Sequence, residues 1–135
     1  MTINMLYSAT ATVLIAVFYF LLSARVGIMR SRHNVLAPAT AGHPEFDRAY
    51  RIQLNTLEQM GLVLPLLWVA TLVTPWGWAP ALIAMLWLAA RIVYARGYTA
   101  DPDKRITGAM LSGIAIAALA LLAIAGVIMA WLDLK

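Results

Sequence analysis

The sequence lacks cysteine altogether and has few charged residues. Of 135 residues none is Cys and only 12% are Asp, Glu, Lys or Arg. The absence of cysteine excludes disulfide frameworks, thiolate metal sites and relays that use protein thiols. With 63% hydrophobic residues and a mean hydropathy of +0.81, the chain has too little polar surface to coat a soluble globule. The composition therefore predicts an integral membrane protein.

Metal ligands and acidic residues are scarce as well. The two histidines, His33 and His43, fall in a segment predicted to be a loop and have no partner at ligand spacing, so we predict no metal site. Six acidic residues against ten basic ones give a net charge of +4. Membrane topology accounts for this excess, and we predict no nucleic-acid partner.

Long uncharged intervals divide the chain into membrane spans. They run over residues 1–24, 59–90 and 106–132, and each can hold about 20 residues of spanning helix. A turn-forming Pro/Gly cluster flanked by tryptophans, Thr74–Pro80, separates two spans within the middle stretch. We predict an all-α, integral membrane four-helix bundle that forms a single transmembrane domain over residues 1–135. The predicted helices cover residues 6–23, 46–73, 78–97 and 102–131.

The basic residues predict the topology. The first and third connections between the predicted helices are basic, whereas the Thr74–Pro80 turn has no basic residue. The first connection carries Arg25, Arg30, Arg32 and Arg48, and the third carries Arg96, Lys104 and Arg105. The positive-inside rule puts both basic connections in the cytoplasm and both termini on the other side. No basic residue precedes the first apolar run, so we expect it to be retained as a helix rather than removed as a signal peptide. Short termini without a retention signal favour a bacterial inner membrane.

One polar stripe stands out at the edge of the second span. Arg51, Asn55 and Glu58 are spaced i, i+4 and i+7, so a helix places them on one face. Glu58 lies about 18 Å along the helix from Phe46, and an acidic residue at the centre of a span costs about 2.5 to 3.5 kcal/mol. A polar ligand would offset this cost. The alternative is a structural ion pair between Arg51 and Glu58.

A second stripe lies on the third helix. Trp87, Arg91, Tyr94 and Tyr98 follow spacings of four, three and four, which predicts a shared face with the tyrosines near the cytoplasmic end. The alternative is that both tyrosines belong to an aromatic belt at the membrane interface and have no role in ligand binding.

The start of the fourth helix carries an unfavourably placed cation. Asp101, Pro102 and Asp103 supply an N-cap, a proline at the first helical position and an acidic first turn. Arg105 follows in that turn, where a positive charge opposes the helix dipole unless an anion binds there. A thiolate is one such anion, because a nearby cation or helix N-terminus lowers a thiol pKa from about 8.5. Alternatively, Arg105 only caps the membrane rim, and the arginines of the first connection only set the topology.

Three segments together resemble a known family. Phe46–Glu58 (FDRAYRIQLNTLE), Tyr94–Tyr98 (YARGY) and Pro102–Gly108 (PDKRITG) look like the motifs of the MAPEG family, the membrane-associated proteins of eicosanoid and glutathione metabolism. The resemblance extends over nearly the whole chain, including its size and four-helix plan. Within the family, the chain looks closest to the microsomal glutathione transferase and leukotriene-synthesising branch.

The resemblance implies a homotrimer with glutathione as co-substrate, bound between neighbouring subunits near the cytoplasmic face, and no metal. The positions that match glutathione-binding residues are Arg30, Arg51, Gln53, Asn55, Glu58, Tyr94 and Tyr98, with Arg25 and Arg32 competing with Arg30 in the alignment. Arg105 matches the catalytic arginine that stabilises the glutathione thiolate. Small residues spaced by four on the fourth helix, Gly108 with Ser112 and Ala109 with Gly113, give modest independent support for oligomers.

These observations predict a membrane-bound glutathione transferase. The thiolate would attack a lipophilic electrophile that partitions from the bilayer, and the same thiolate could reduce hydroperoxides. Two alternatives stay open. One is a non-catalytic MAPEG-type protein that binds lipid or a partner. The other is a small four-helix exporter, which the absence of an acidic residue from residues 1–24 disfavours.

Overall fold

The computed structural model describes residues 2–134 as four helices. They are α1 (Ile3–Arg32), α2 (Pro44–Val73), α3 (Trp78–Ala100) and α4 (Ile106–Asp133), and the 3-10 turn Pro102–Arg105 leads into α4. Each of the four is long and apolar enough to cross a membrane. The predicted all-α class and the four spans are confirmed, and the chain is an integral, multi-pass membrane protein.

Both α2 and α3 contact the other three helices of the bundle, and α3 packs most closely on α4. The central core is made of small and branched side chains around Ile15, Leu67 and Trp87. Buried hydroxyls are paired, as where Ser8 and Thr71 lie 2.6 Å apart between α1 and α2. Large side chains such as Phe20 and Leu121 point outward, which suits a surface that faces lipid.

α1 is longer than predicted and continues nine residues beyond Ser23, to Arg32. The prediction ended the helix near the first charge, but a charge limits the hydrocarbon span and not the helix. Basic residues in the last turn, Arg30 and Arg32, favour the negative end of the helix dipole. The helix stops where Asn34 adopts φ 52° and the Val35 N–H donates to the Arg30 carbonyl at 3.1 Å. This is the left-handed residue and the hydrogen bond of a Schellman-type C-terminus.

α3 also extends past its predicted end, from Gly97 to Ala100. Gly97 reads as a stop signal, yet here it is a point of close approach: a Cβ at this position would overlap the carbonyl of Lys104. The predicted cap of the next element is observed, since the Asp101 carboxylate accepts from the Asp103 N–H at 3.0 Å and Pro102 follows it. α3 and α4 are thereby joined by a tight connection that fixes Arg105 close to Tyr98.

The small residues of α4 serve packing within one chain. A Cβ on Gly108 would overlap the backbone of Tyr94, and Ser112 is fully buried. Ala109 packs against the cluster that contains Tyr94. Only Gly113 of the predicted set faces open space. The spacing that was expected to support oligomers therefore explains how α4 approaches α3, and it is not independent support for a trimer.

Candidate functional site

A polar pocket opens where α2, α3 and the start of α4 meet. Its volume is about 350 Å³, and its lining combines a carboxylate, two amides, a phenol and two guanidinium groups: Glu58, Asn55, Gln59, Tyr94, Arg91 and Arg105, with Ala109. The sequence predicted four of these as site residues, namely Asn55, Glu58, Tyr94 and Arg105. The fold brings them together from three helices. We call this cavity the polar pocket.

Asn55 and Tyr94 join α2 to α3 within the pocket. The Asn55 amide donates to the Tyr94 hydroxyl over 2.6 Å. Tyr94 is only 3% exposed, so its ring is anchored in the bundle and not in an interfacial belt. Because the Tyr94 oxygen accepts this hydrogen bond, its own proton is free to be donated to a ligand.

Arg105 lies at the mouth of the pocket, at the last residue of the 3-10 turn before α4. Its Nη1 donates to the Tyr98 hydroxyl at 3.3 Å, and its guanidinium carbon stands 5.1 Å from the centre of the Tyr98 ring. Tyr98 itself is largely buried, whereas Arg105 is exposed. Tyr98 thus orients a cation whose remaining N–H donors are available to an anion.

Arg91 lines the pocket, although its spacing predicted only a place on the α3 stripe and it was not among the predicted site residues. It is 1% exposed, and its Nη2 and Nε donate to the Thr56 hydroxyl at 2.8 and 3.3 Å. Its guanidinium stacks over the Tyr94 ring at 3.8 Å. The signal that could have identified it is its position, since a cation inside a predicted membrane span, here residues 78–97, is a functional candidate by default.

Arg51 shares the α2 stripe but opens onto a different depression, together with Asp47, Tyr50 and Leu54. The alternative ion pair between Arg51 and Glu58 is not observed. Within residues 2–134, the one ion pair closer than 4.0 Å joins His33 to Glu45, at 3.1 Å. Glu58 therefore keeps its carboxylate exposed at the polar pocket.

Gln53 and Arg30 lie away from the polar pocket. Residues two apart on a helix point about 200° from each other, so Gln53 and Asn55 face opposite sides of α2. Gln53 donates to the hydroxyls of Tyr19 and Ser23, each at 3.1 Å. Arg30 donates to the carbonyls of Val35 and Ala39 at 3.1 and 2.9 Å and covers the Phe46 ring. One chain therefore does not assemble all the predicted ligand residues into one cavity.

The polar pocket is suited to a small zwitterionic ligand. A carboxylate receives an ammonium group, guanidinium groups bind carboxylates or other anions, and amide and phenol groups serve a peptide backbone. No group of three or more potential metal ligands occurs in the part of the chain that the structure describes. The arrangement offers binding and charge stabilisation, with no protein nucleophile among the lining residues.

Comparison with known proteins identifies the family of the chain. The MAPEG family model matches residues 8–125. An uncharacterized protein from Synechocystis is 37% identical over 111 residues, covering 82% of this chain and 80% of that protein. Human microsomal glutathione S-transferase 2 is 32% identical over 135 residues (96% and 88%), and bovine leukotriene C4 synthase is 36% identical over 121 residues (85% and 80%). With the family model matching most of its length, this four-helix membrane protein belongs to the MAPEG family.

Proposed function

We propose that this protein is a membrane-bound glutathione transferase. The observation that carries the proposal is the polar pocket, in which Glu58, Asn55, Tyr94 and two arginines converge beside the bilayer-spanning part of the bundle. Similarity to a microsomal glutathione S-transferase and a leukotriene C4 synthase supports the same conclusion. An enzyme of this kind positions glutathione and stabilises its sulfur anion, while the second substrate arrives from the lipid.

The charges of the pocket complement those of glutathione. The tripeptide has two carboxylates, one ammonium group, two peptide units and a thiol. Glu58 would receive the ammonium, Arg91 one of the carboxylates, and Tyr94 and Asn55 the peptide groups. The second carboxylate needs a further cation, for which Arg51 on the same α2 stripe and Arg30 are the candidates.

Arg105 has a different task, which is to hold the sulfur. A guanidinium next to the start of α4 favours the thiolate over the thiol, so that a larger fraction of bound glutathione is ionised at neutral pH. The proton leaves to solvent. The sulfur lone pair then forms a carbon–sulfur bond with the electrophile, and the displaced electron pair departs with a leaving group or is protonated by water after addition. Tyr98 orients Arg105 and is a positioning residue for this step.

The proposed site is completed by a second copy of the chain. Gln53 and Arg30 resemble glutathione-binding positions but lie outside the polar pocket of their own chain. In a cyclic assembly, one face of a subunit meets a different face of its neighbour. A homotrimer would allow the α1/α2 face of one subunit, which bears Gln53, to close the polar pocket of the next.

The thiolate role of Arg105 is tested by replacing it with alanine. We expect Arg105→Ala to lower the conjugation rate at pH 7 by about 100-fold, the typical effect of removing one preorganised charge-stabilising donor. Because the thiol would ionise only at higher pH, the activity of the variant should rise with pH further into the alkaline range than that of the wild type. Glutathione affinity, measured by titration calorimetry, should change much less than the rate.

Two controls make this test specific. Arg105→Lys should retain part of the activity because it keeps the charge, and Lys104→Ala removes a neighbouring exposed cation and should change the rate little. Rates are measured with a generic chromogenic electrophile in detergent and in vesicles. If Arg105→Ala conjugates at the wild-type rate at pH 7, Arg105 does not stabilise the thiolate. If the wild-type protein does not bind glutathione, the transferase proposal itself is wrong.

A further inference from the structure

Four arginines form a basic cluster on the side of the bundle where α1 meets α3. They come from three helices: Arg25 and Arg32 from α1, Arg48 from α2 and Arg96 from α3. None lines the polar pocket. The single carboxylate in the cleft, that of Glu45, already pairs with His33 at 3.1 Å. Among residues 2–134, no acidic side chain lies within ion-pair distance of any of the four.

Two of these guanidinium groups are held in place by one residue. Arg25 donates to the Thr99 hydroxyl at 2.9 Å, and Arg48 donates to the Thr99 carbonyl at 3.1 Å. The Thr99 hydroxyl in turn donates to the Ala95 carbonyl at 2.7 Å, which fixes its orientation. Fixed like charges repel each other, so this arrangement is costly unless an anion lies between them. The cleft at this point has a volume of about 300 Å³.

An apolar groove continues from the basic cluster toward the middle of the bundle. It has a volume of about 390 Å³, shares Arg25 and Thr99 with the basic cleft, and is lined below them by Phe18, Leu22, Ile92 and Ala95. Phe18, Leu22 and Arg25 are spaced i, i+4 and i+7, so they follow one face of α1. Phe18 and Arg25 are about 10 Å apart along the helix. The combined cleft and groove are therefore basic at one end and apolar at the other, along the direction in which the helix crosses the membrane.

We propose that this cleft is a binding site for an anionic phospholipid. The phosphate would lie among Arg25, Arg48 and Arg96, and an acyl chain would run down the groove along Phe18 and Leu22. The charges favour a headgroup of net negative charge over a zwitterionic headgroup, because the quaternary ammonium of the latter would add a cation to a cluster that has no acidic partner within ion-pair distance in residues 2–134. A soluble anion would use only the upper part of the cleft and leave the apolar groove unfilled. This site is separate from the proposed glutathione site and does not depend on it.

The test compares phosphatidylglycerol with phosphatidylcholine on the purified, delipidated full-length protein by native mass spectrometry and by thermal unfolding with added lipid. We expect phosphatidylglycerol to bind at least tenfold more tightly. A basic residue near an anionic lipid contributes roughly fivefold to binding, so Arg96→Gln should weaken phosphatidylglycerol binding about fivefold and Arg25→Gln/Arg96→Gln about 25-fold. Phosphatidylcholine binding should stay the same.

Matched controls separate a site from general surface charge. Lys104→Gln removes one exposed positive charge outside the cleft and should leave phosphatidylglycerol binding within twofold of wild type. Arg25→Lys keeps the charge and should bind nearly as well as wild type. If Arg25→Gln does not fold, the comparison between Arg96→Gln and Lys104→Gln decides the question, since both residues are exposed.

Several results would overturn the proposal. Equal losses in Arg96→Gln and Lys104→Gln would mean nonspecific attraction to an anionic surface. Full displacement of phosphatidylglycerol by inorganic phosphate or glycerol phosphate would identify a soluble-anion site. Displacement by glutathione would assign the arginines to the peptide. If the thiol of an Arg96→Cys variant is protected from a water-soluble thiol reagent in the lipid-free oligomer, a second copy of the chain covers the cleft.

Discussion

Arg91 is the residue on which the sequence and the structure differ most. Its place on the α3 stripe was evident from the spacing, but its environment was not. Burial at 1% exposure, with Thr56 as its hydrogen-bonding partner and no carboxylate within 4.0 Å in residues 2–134, leaves most of its donors for a ligand. The spacing of residues predicts which side chains share a helix face, but how deeply that face is buried depends on which helices pack against it. Tyr94 illustrates the same point, because sequence alone did not distinguish an interfacial ring from a buried one.

If Arg91 binds the ligand, replacing it should weaken glutathione binding without a comparable loss of protein stability. We expect Arg91→Met, which fills similar space without charge, to weaken glutathione binding by roughly 10- to 100-fold, since hydrogen bonds to charged groups contribute about 1.5 to 3 kcal/mol. The thermal unfolding midpoint should fall little or even rise, because an apolar side chain removes the desolvation cost of the buried cation. Titration calorimetry and thermal unfolding in detergent measure the two quantities.

Thr56→Val is the matched control for Arg91. It removes the hydroxyl that Arg91 contacts but keeps the guanidinium, so glutathione affinity should fall less than in Arg91→Met. A purely structural arginine would give the opposite pattern: Arg91→Met would unfold at a clearly lower temperature, and its remaining folded fraction would bind glutathione normally.

At the scale of the helices, the sequence predicted their number and type and the cap at Asp101, because these depend on hydrophobic length and on capping residues. The fourth α-helix was predicted from residue 102 but begins at Ile106, because residues 102–105 form a 3-10 turn. The sequence did not predict where α1 and α3 end. Arg25 was taken as a boundary although helices continue into water, and α3 continues beyond the predicted end at Gly97, a residue that permits contact with the Lys104 carbonyl. Helix ends of this kind depend on what the next element packs against, and that information lies far along the chain.

Substitution of Gly108 tests whether the close approach of α3 and α4 positions the residues of the polar pocket. An added Cβ would overlap the Tyr94 backbone, so Gly108→Ala should push α4 away from α3 and lower stability by about 1 to 3 kcal/mol. Tyr94 is itself part of this contact, and Arg105 lies three residues before Gly108. A shift of α4 would therefore move both pocket residues apart, and glutathione affinity should fall together with the unfolding midpoint.

Gly113 offers the control on the same helix. It lies five residues further along α4, and a Cβ there would meet nothing within 4 Å. Alanine is favoured over glycine inside a helix by about 0.8 to 1 kcal/mol, so Gly113→Ala should be neutral or stabilising. Equal behaviour of the two alanine variants would show that α3 and α4 do not pack as closely as the structure has them.

At the scale of the whole molecule, one chain brings only some of the predicted glutathione-binding residues into one cavity. Asn55, Glu58, Tyr94 and Arg105 meet in one polar pocket. Their spacing predicted only shared faces within a helix, and the family resemblance was what assigned them to one site. Gln53 cannot join them, because it points to the opposite side of α2 and bonds to Tyr19 and Ser23 of α1. Helix geometry already implied this at the sequence level, since residues two apart do not share a face. The proposed trimer, by contrast, rests on the family resemblance alone.

If glutathione lies between subunits, two inactive variants should restore activity when mixed within one assembly. Gln53→Glu is nearly isosteric and would place a negative charge opposite the anionic tripeptide, while Arg105→Ala removes the thiolate partner. In a trimer that contains both variants, one of the three sites would combine an intact Arg105 from one subunit with an intact Gln53 from its neighbour. Co-expression with two affinity tags, purification of the mixed oligomers and a conjugation assay should therefore give about one third of the wild-type rate, against near-background rates for either variant alone. Recovery requires the two residues to act from different chains: if mixed oligomers stay inactive, each site is built within one subunit, and if Gln53→Glu alone keeps full activity, Gln53 does not contact the tripeptide.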